Sequence, residues 1–122
     1  MNVRVDKRGN SEAAIVESGE VLISEVQEAL DLMATVQYET GCFKMLLRKE
    51  SISEAFFDLS TRLAGEILQK FTNYGVKLAI VGDFSGYESK SLRDFIYESN
   101  HGKQFFFLPD EAAALEALHG TK

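Results

Sequence analysis

Val76-Lys77-Leu78-Ala79-Ile80-Val81 runs into Gly82-Asp83-Phe84-Ser85-Gly86, and then into a helical segment opened by Ser91 and closed by His101-Gly102. A bounded, mostly apolar run, a glycine-flanked turn and a helix start, in that order, make a strand-loop-helix unit of the kind that builds parallel sheets. Ligands of open α/β sheets gather where such strands end. Within Ser91-Leu92-Arg93-Asp94 the spacing matches a capping box, with Leu92, Phe95 and Ile96 on the inward face of the helix that follows.

Downstream, Gln104 to Leu108 reads as a strand buried on both faces through its run Phe105-Phe106-Phe107. Pro109 stops it, and Asp110 caps a closing helix from Glu111 to Leu118. Upstream, Ser53 is the expected N-cap of a helix whose apolar side is Phe56, Leu59, Leu63, Ile67 and Phe71, ending at Asn73-Tyr74-Gly75. Gly65 lies inside it, and a glycine there costs about 1 kcal/mol against alanine, so close packing onto a sheet is the expected compensation. Phe43 to Leu47 suits an interior strand, and Val26, Ala29, Leu30, Met33 and Val36 mark a helix capped by Ser24 and ended by Gly41. Val3, Val5, Ala13 and Ile15, divided by Lys7-Arg8-Gly9-Asn10, read as a hairpin. Phe56, Phe57, Phe71, Phe84, Phe95 and Phe43 are expected in or beside the core; Tyr38, Tyr74, Tyr87 and Tyr97 suit half-exposed contact surfaces.

The resulting order is ββαβαβαβα over residues 1–122 as a single domain: an α/β fold with helices packed on a mixed sheet whose first strands form an antiparallel edge. The 45% of hydrophobic residues is enough for one core, and neither a linker nor a repeat interrupts it. The longest apolar runs fall far short of the roughly 18 residues of a membrane helix, and the charged start at Arg4, Asp6, Lys7 and Arg8 is unlike a signal peptide. A cytoplasmic protein is expected. Net charge is −6, with seven acidic residues and no Lys or Arg from Gly9 to Phe43. Such a surface repels phosphate backbones and anionic lipid, so neither nucleic acid nor membrane is an expected partner.

Asp83, Ser85, Ser89, Lys90, Ser91 and Arg93 form the candidate ligand site, since hydroxyls and cations at a helix start suit an anionic or nucleotide-like molecule. No phosphate-loop signature accompanies them; turn and cap chemistry accounts for the same residues. Asp94 and Glu98 share a helix face near Asp83, but solvated charges explain them better than a metal. Cys42 is expected as a buried side chain at a strand start, and His101 and His119 as surface or helix-end residues without a Ser or Cys partner. No catalytic residue, metal or cofactor is expected, which disfavours an enzyme.

Glu20-Val21-Leu22-Ile23, Asp31-Leu32-Met33-Ala34-Thr35-Val36, Leu63 through Phe71 and Ser89 through Asn100 resemble a bacterial family, domain of unknown function 4180. More distantly, the element order, Lys77 to Gly82 and the ending Phe107 to Leu118 resemble the STAS or anti-sigma-factor-antagonist fold. That resemblance implies a regulatory switch in which a kinase partner phosphorylates a Ser or Thr at a helix start. The corresponding segment is Phe56 to Leu63, which makes Ser60 and Thr61 the candidate phosphoacceptors, although the usual Asp-Ser-Ser-Gly pattern is absent. The combined expectation is a regulatory, non-enzymatic module acting on a protein partner, or on a second copy as a homodimer, through its acidic first helix and the Asp83 loop.

Overall fold

The computed structural model describes residues 1–121. Strands β1 (Asn2–Arg8) and β2 (Ser11–Glu17) form the hairpin, and α1 (Val26–Thr40) leads to β3 (Lys44–Arg48). Next come α2 (Leu63–Asn73), β4 (Lys77–Val81), α3 (Lys90–Asn100), β5 (Phe105–Leu108) and α4 (Glu111–His119). The strands lie in the order β1-β2-β3-β4-β5, antiparallel between β1 and β2 and parallel thereafter. This is the expected α/β class: one mixed sheet with four helices packed on it. Gly9 at φ +60 occupies the first position of the two-residue turn, as a type II′ hairpin demands.

Side-chain alternation sorts the strands into two cores. Ala14, Val16, Met45, Leu47, Leu78, Ile80 and Phe107 face the layer that holds α1, α2 and α3. Ala13, Ile15, Leu46, Ala79, Val81 and Phe106 face α4, which covers the other side alone through Ala114, Leu115 and Leu118. On β1 the same alternation puts Val3 toward the larger core and Arg4, Asp6 and Arg8 toward α4. Glu111 and Glu116 meet that charged row: Arg4 is 2.8 Å from Glu111, and Arg8 3.9 Å from Glu116.

β5 is an edge strand whose outward backbone is covered by a side chain. Asn100, at the end of α3, accepts from Phe107 N at 2.7 Å and donates to Phe107 O at 3.0 Å, so one amide imitates a neighbouring strand. Phe107 itself is buried against Phe56, Phe84 and Phe95, with ring centroids 5.6 to 6.5 Å away.

Five local expectations need correction. Ser89, not Ser91, caps α3, accepting from Leu92 N at 3.2 Å; Asp94 pairs with Lys90 at 2.7 Å instead of closing a box. Glu25 is the N-cap of α1, while Ser24 donates through its N–H and hydroxyl to Glu28. The single helix expected after Ser53 is broken: short 3₁₀ turns occupy Glu54–Phe57 and Leu59–Thr61, capped by Ser53 and Asp58, before Arg62 at φ +65 turns the chain into α2. Gly65 has open space around it, so sheet packing does not explain it. Phe43 departs from its expected place as well, standing 55% exposed just before β3.

Candidate functional site

The parallel strands end at a crest that carries the loop between β4 and α3. Asp83 closes a turn there, accepting from Ser85 N at 2.9 Å and from Ser85 Oγ at 2.6 Å; these bonds, the hydroxyl's first, hold its carboxyl below the ordinary value. Ser89 is spent as the cap of α3 and Lys90 on Asp94, while Ser91 and Arg93 are exposed. The six candidate residues share a loop and a first helical turn, but the bonding groups of four of them are already engaged within the chain.

A cluster beside this loop had no signature in the sequence. Lys49, directly after β3, lies across Gly82 so closely that a Cβ on the glycine would come within 2.6 Å of the lysine Cβ. Its ammonium is 3.4 Å from Glu54 and 5.0 Å from the Tyr87 ring centroid, and Tyr87 donates to Glu54 at 2.9 Å while stacking on Phe57. The Tyr87 oxygen, assisted by Glu54, holds the ammonium above the ordinary lysine value against an opposing effect of burial, and burial raises the Tyr87 phenol. Lys49 and Glu54 line a cleft of about 450 Å³ with Val21, Ser24 and Ile52. Its wall is the strap Leu22–Ser24, held to Ser51 and Ser53 by backbone bonds. Lysine, carboxylate and phenol satisfy one another here.

Ser60 and Thr61 lie in the turn before α2. Ser60 Oγ donates to Asp58 at 2.6 Å, and Thr61 Oγ1 reaches Ala55 O and Asp58 O while accepting from Leu63 N at 3.2 Å, so both hydroxyls are engaged within the turn. Both residues are exposed.

The outward side of α1 is different in kind. Gln27, Leu30, Asp31, Ala34 and Gln37, with Tyr74 from the loop after α2, border a groove of about 340 Å³. Tyr38 stands 92% exposed one turn beyond Ala34, and Tyr74 is 59% exposed. Glu25, Asp31 and Glu39 are exposed on the same helix with no cation within ion-pair distance among the described residues. The C-terminal end of α1 adds its partial negative charge beside Tyr38.

At the opposite end of the sheet, β1, β2, β3 and α4 bring together residues that the sequence scatters. His119 Nε2 lies 2.8 Å from Asp6 Oδ2, and its Nδ1 2.7 Å from Ser11 Oγ. Lys44 Nζ donates to Ser11 Oγ at 2.8 Å and to Thr121 O at 3.0 Å. The expectation that neither histidine has a serine partner is thereby corrected for His119, whose side chain is 6% exposed; His101 is an exposed helix end bonded to Tyr97 O. Cys42 is buried at the start of β3's approach, as expected.

A family model described as a domain of unknown function (DUF4180) matches residues 8–118. The chain belongs to the DUF4180 family. The matched span takes in the hairpin turn, Ser11, all four parallel strands and α4 almost to its end, while Asp6 and His119 lie just outside it. No curated protein and no solved structure matches the chain. Among the described residues, no helix is long and apolar enough to cross a membrane.

Proposed function

We propose that this DUF4180 chain is a regulatory protein-interaction module that presents the outer face of α1 to a basic partner protein. The observation that carries this is the pair of exposed tyrosines, Tyr74 bordering the groove and Tyr38 one turn beyond Ala34, on a helix whose exposed acids Asp31 and Glu39, with the N-cap Glu25, have no cation within ion-pair distance among the described residues. Tyrosines supply contact area with little entropy to lose, and unpaired acids steer and orient a cationic partner. A second copy is disfavoured as the occupant, because a symmetric contact would oppose the same acids in a chain of net charge −6. The STAS-like character belongs to the same proposal; an antiparallel-edged mixed sheet with three helices on one face and one on the other supports it.

An anionic ligand at 82–93 has less support, since Ser85, Ser89 and Lys90 bond within the chain. The test is affinity capture from the host cytoplasm with wild type and with Asp31→Lys/Glu39→Lys. A partner retained by wild type, carrying a basic surface, released by salt and lost with the charge reversal is the expected result. Retention that ignores both salt and reversal overturns the assignment.

A further inference from the structure

We propose that Ser11 is a nucleophile for acyl transfer from small neutral carboxylic esters, with His119 as its base, in the cleft beneath the hairpin turn. Serine, imidazole and carboxylate form an unbroken line, Ser11 Oγ to His119 Nδ1 at 2.7 Å and His119 Nε2 to Asp6 Oδ2 at 2.8 Å, both within the reach that proton transfer requires. The Asp6 carboxylate only accepts, so Nε2 carries the ring proton toward it; in the neutral imidazole Nδ1 is then an acceptor, and the Ser11 hydroxyl, whose oxygen accepts from Lys44, donates to it. That is the arrangement a general base needs, with its lone pair aimed at the nucleophile and its far nitrogen held by a carboxylate.

The cleft also fixes the substrate class. Ser11 and Lys44 line a hollow of about 320 Å³ with Asn10, Glu12, Gly41, Cys42 and Phe43, the size of a small ligand. Phe43, 55% exposed at its rim, gives an apolar seat for an acyl chain and explains an otherwise unprovoked exposed phenylalanine. Glu12 and the C-terminal end of α1 at Gly41 offset the charge of Lys44 in the hollow, which favours neutral esters over phosphate and sulfate esters. Burial and neighbouring Lys77 lower the Lys44 pKa below the ordinary lysine value, and its ammonium is the nearby positive charge available to an oxyanion.

The step balances without a further reactant. Ser11 Oγ adds to the ester carbonyl as its proton passes to His119 Nδ1; the tetrahedral intermediate expels the alcohol oxygen, which takes that proton back from Nδ1. Ser11 is left as an ester, and water repeats the sequence to release the acid and restore the hydroxyl.

A serine-directed alkyl fluorophosphonate tests this on the full chain, with intact-mass and peptide-level readout. The expected result is one adduct on Ser11, none on the exposed Ser60, Ser85 and Ser91 of the same molecules, and no adduct in Ser11→Ala. His119→Gln is expected to slow labelling at least 100-fold, and Asp6→Asn, which leaves Ser11 and His119 in place, to slow it by an order of magnitude. Wild type labelled no faster at Ser11 than at its exposed serines overturns the proposal whatever the variants do. So does a rate unchanged in a folded His119→Gln or Asp6→Asn protein, because a mere structural tie leaves Ser11 no more reactive than any other serine.

Discussion

Replacing Asn100 by alanine removes the amide that covers the outer edge of β5. Phe107 N and Phe107 O both bond to it, at 2.7 and 3.0 Å, and Phe107 is a buried residue, so water does not readily replace the lost partner. Each bond is worth about 1 kcal/mol net, and leaving a buried N–H unpaired costs about 1 to 3 kcal/mol, which together set the loss at about 2 to 3 kcal/mol. For 122 residues the unfolding entropy makes 1 kcal/mol equal to about 4 °C, so Tm falls by about 8 to 12 °C. Asn100→Asp is the sharper form of the experiment. One carboxylate oxygen still accepts from Phe107 N, while the other confronts Phe107 O with no proton to offer, so this variant is destabilised at neutral pH and recovers as the carboxyl is protonated. Urea unfolding of wild type and both variants, followed by far-UV dichroism at neutral and acidic pH, measures the effect. An Asn100→Ala protein within about 0.5 kcal/mol of wild type would refute the idea that this side chain secures the edge.

Gly65→Ala, at an exposed helical position with open space for a Cβ, is expected to raise stability by about 0.5 to 1 kcal/mol; thermal unfolding checks it, and a loss of stability contradicts it. Gly82→Ala is expected to cost about 1 to 3 kcal/mol, because the new methyl meets Lys49 Cβ at 2.6 Å; its crystal structure should show Lys49 displaced from Tyr87 and Glu54. Glu28 is held below its ordinary value of 4.5 first by the Ser24 hydroxyl and then by the Ser24 N–H. Its contribution is therefore complete above that value and lost as pH falls through the lower folded one, so the stability gap between wild type and Ser24→Ala closes on acidification. A gap constant with pH would remove Glu28 as its cause.

The class of fold was legible because β4 and β5 are short apolar runs between helix and turn signals, a pattern with few other physical solutions. The breaks were not legible. Phe56, Leu59 and Leu63 keep helical spacing across 3₁₀ turns, which bury the same side, and the reversal at Arg62 uses a left-handed conformation without the glycine that would betray it. Ser89 and Ser91 both precede an apolar helix face, and the Asp94 that favoured Ser91 is drawn off by Lys90 four residues earlier. The loop 82–93 after β4 is legible in the sequence, whereas the Lys49 cluster beside it is not, since Lys49 arrives from another strand. Ser11, His119 and Asp6 lie up to 113 residues apart, and only sheet register joins them. The available signal was the alternation on β1, where Arg4, Asp6 and Arg8 share one face and imply a polar counterpart across it.

The most direct measurement is photo-crosslinking from a benzoylphenylalanine placed at Tyr38, compared with the same group at the loop residue Glu88, in cells of the host. Recognition through α1 predicts one dominant heterologous adduct from position 38, absent from position 88 and abolished by Asp31→Lys/Glu39→Lys. Equal adducts from both positions, a self-adduct alone, or none from position 38 would contradict it.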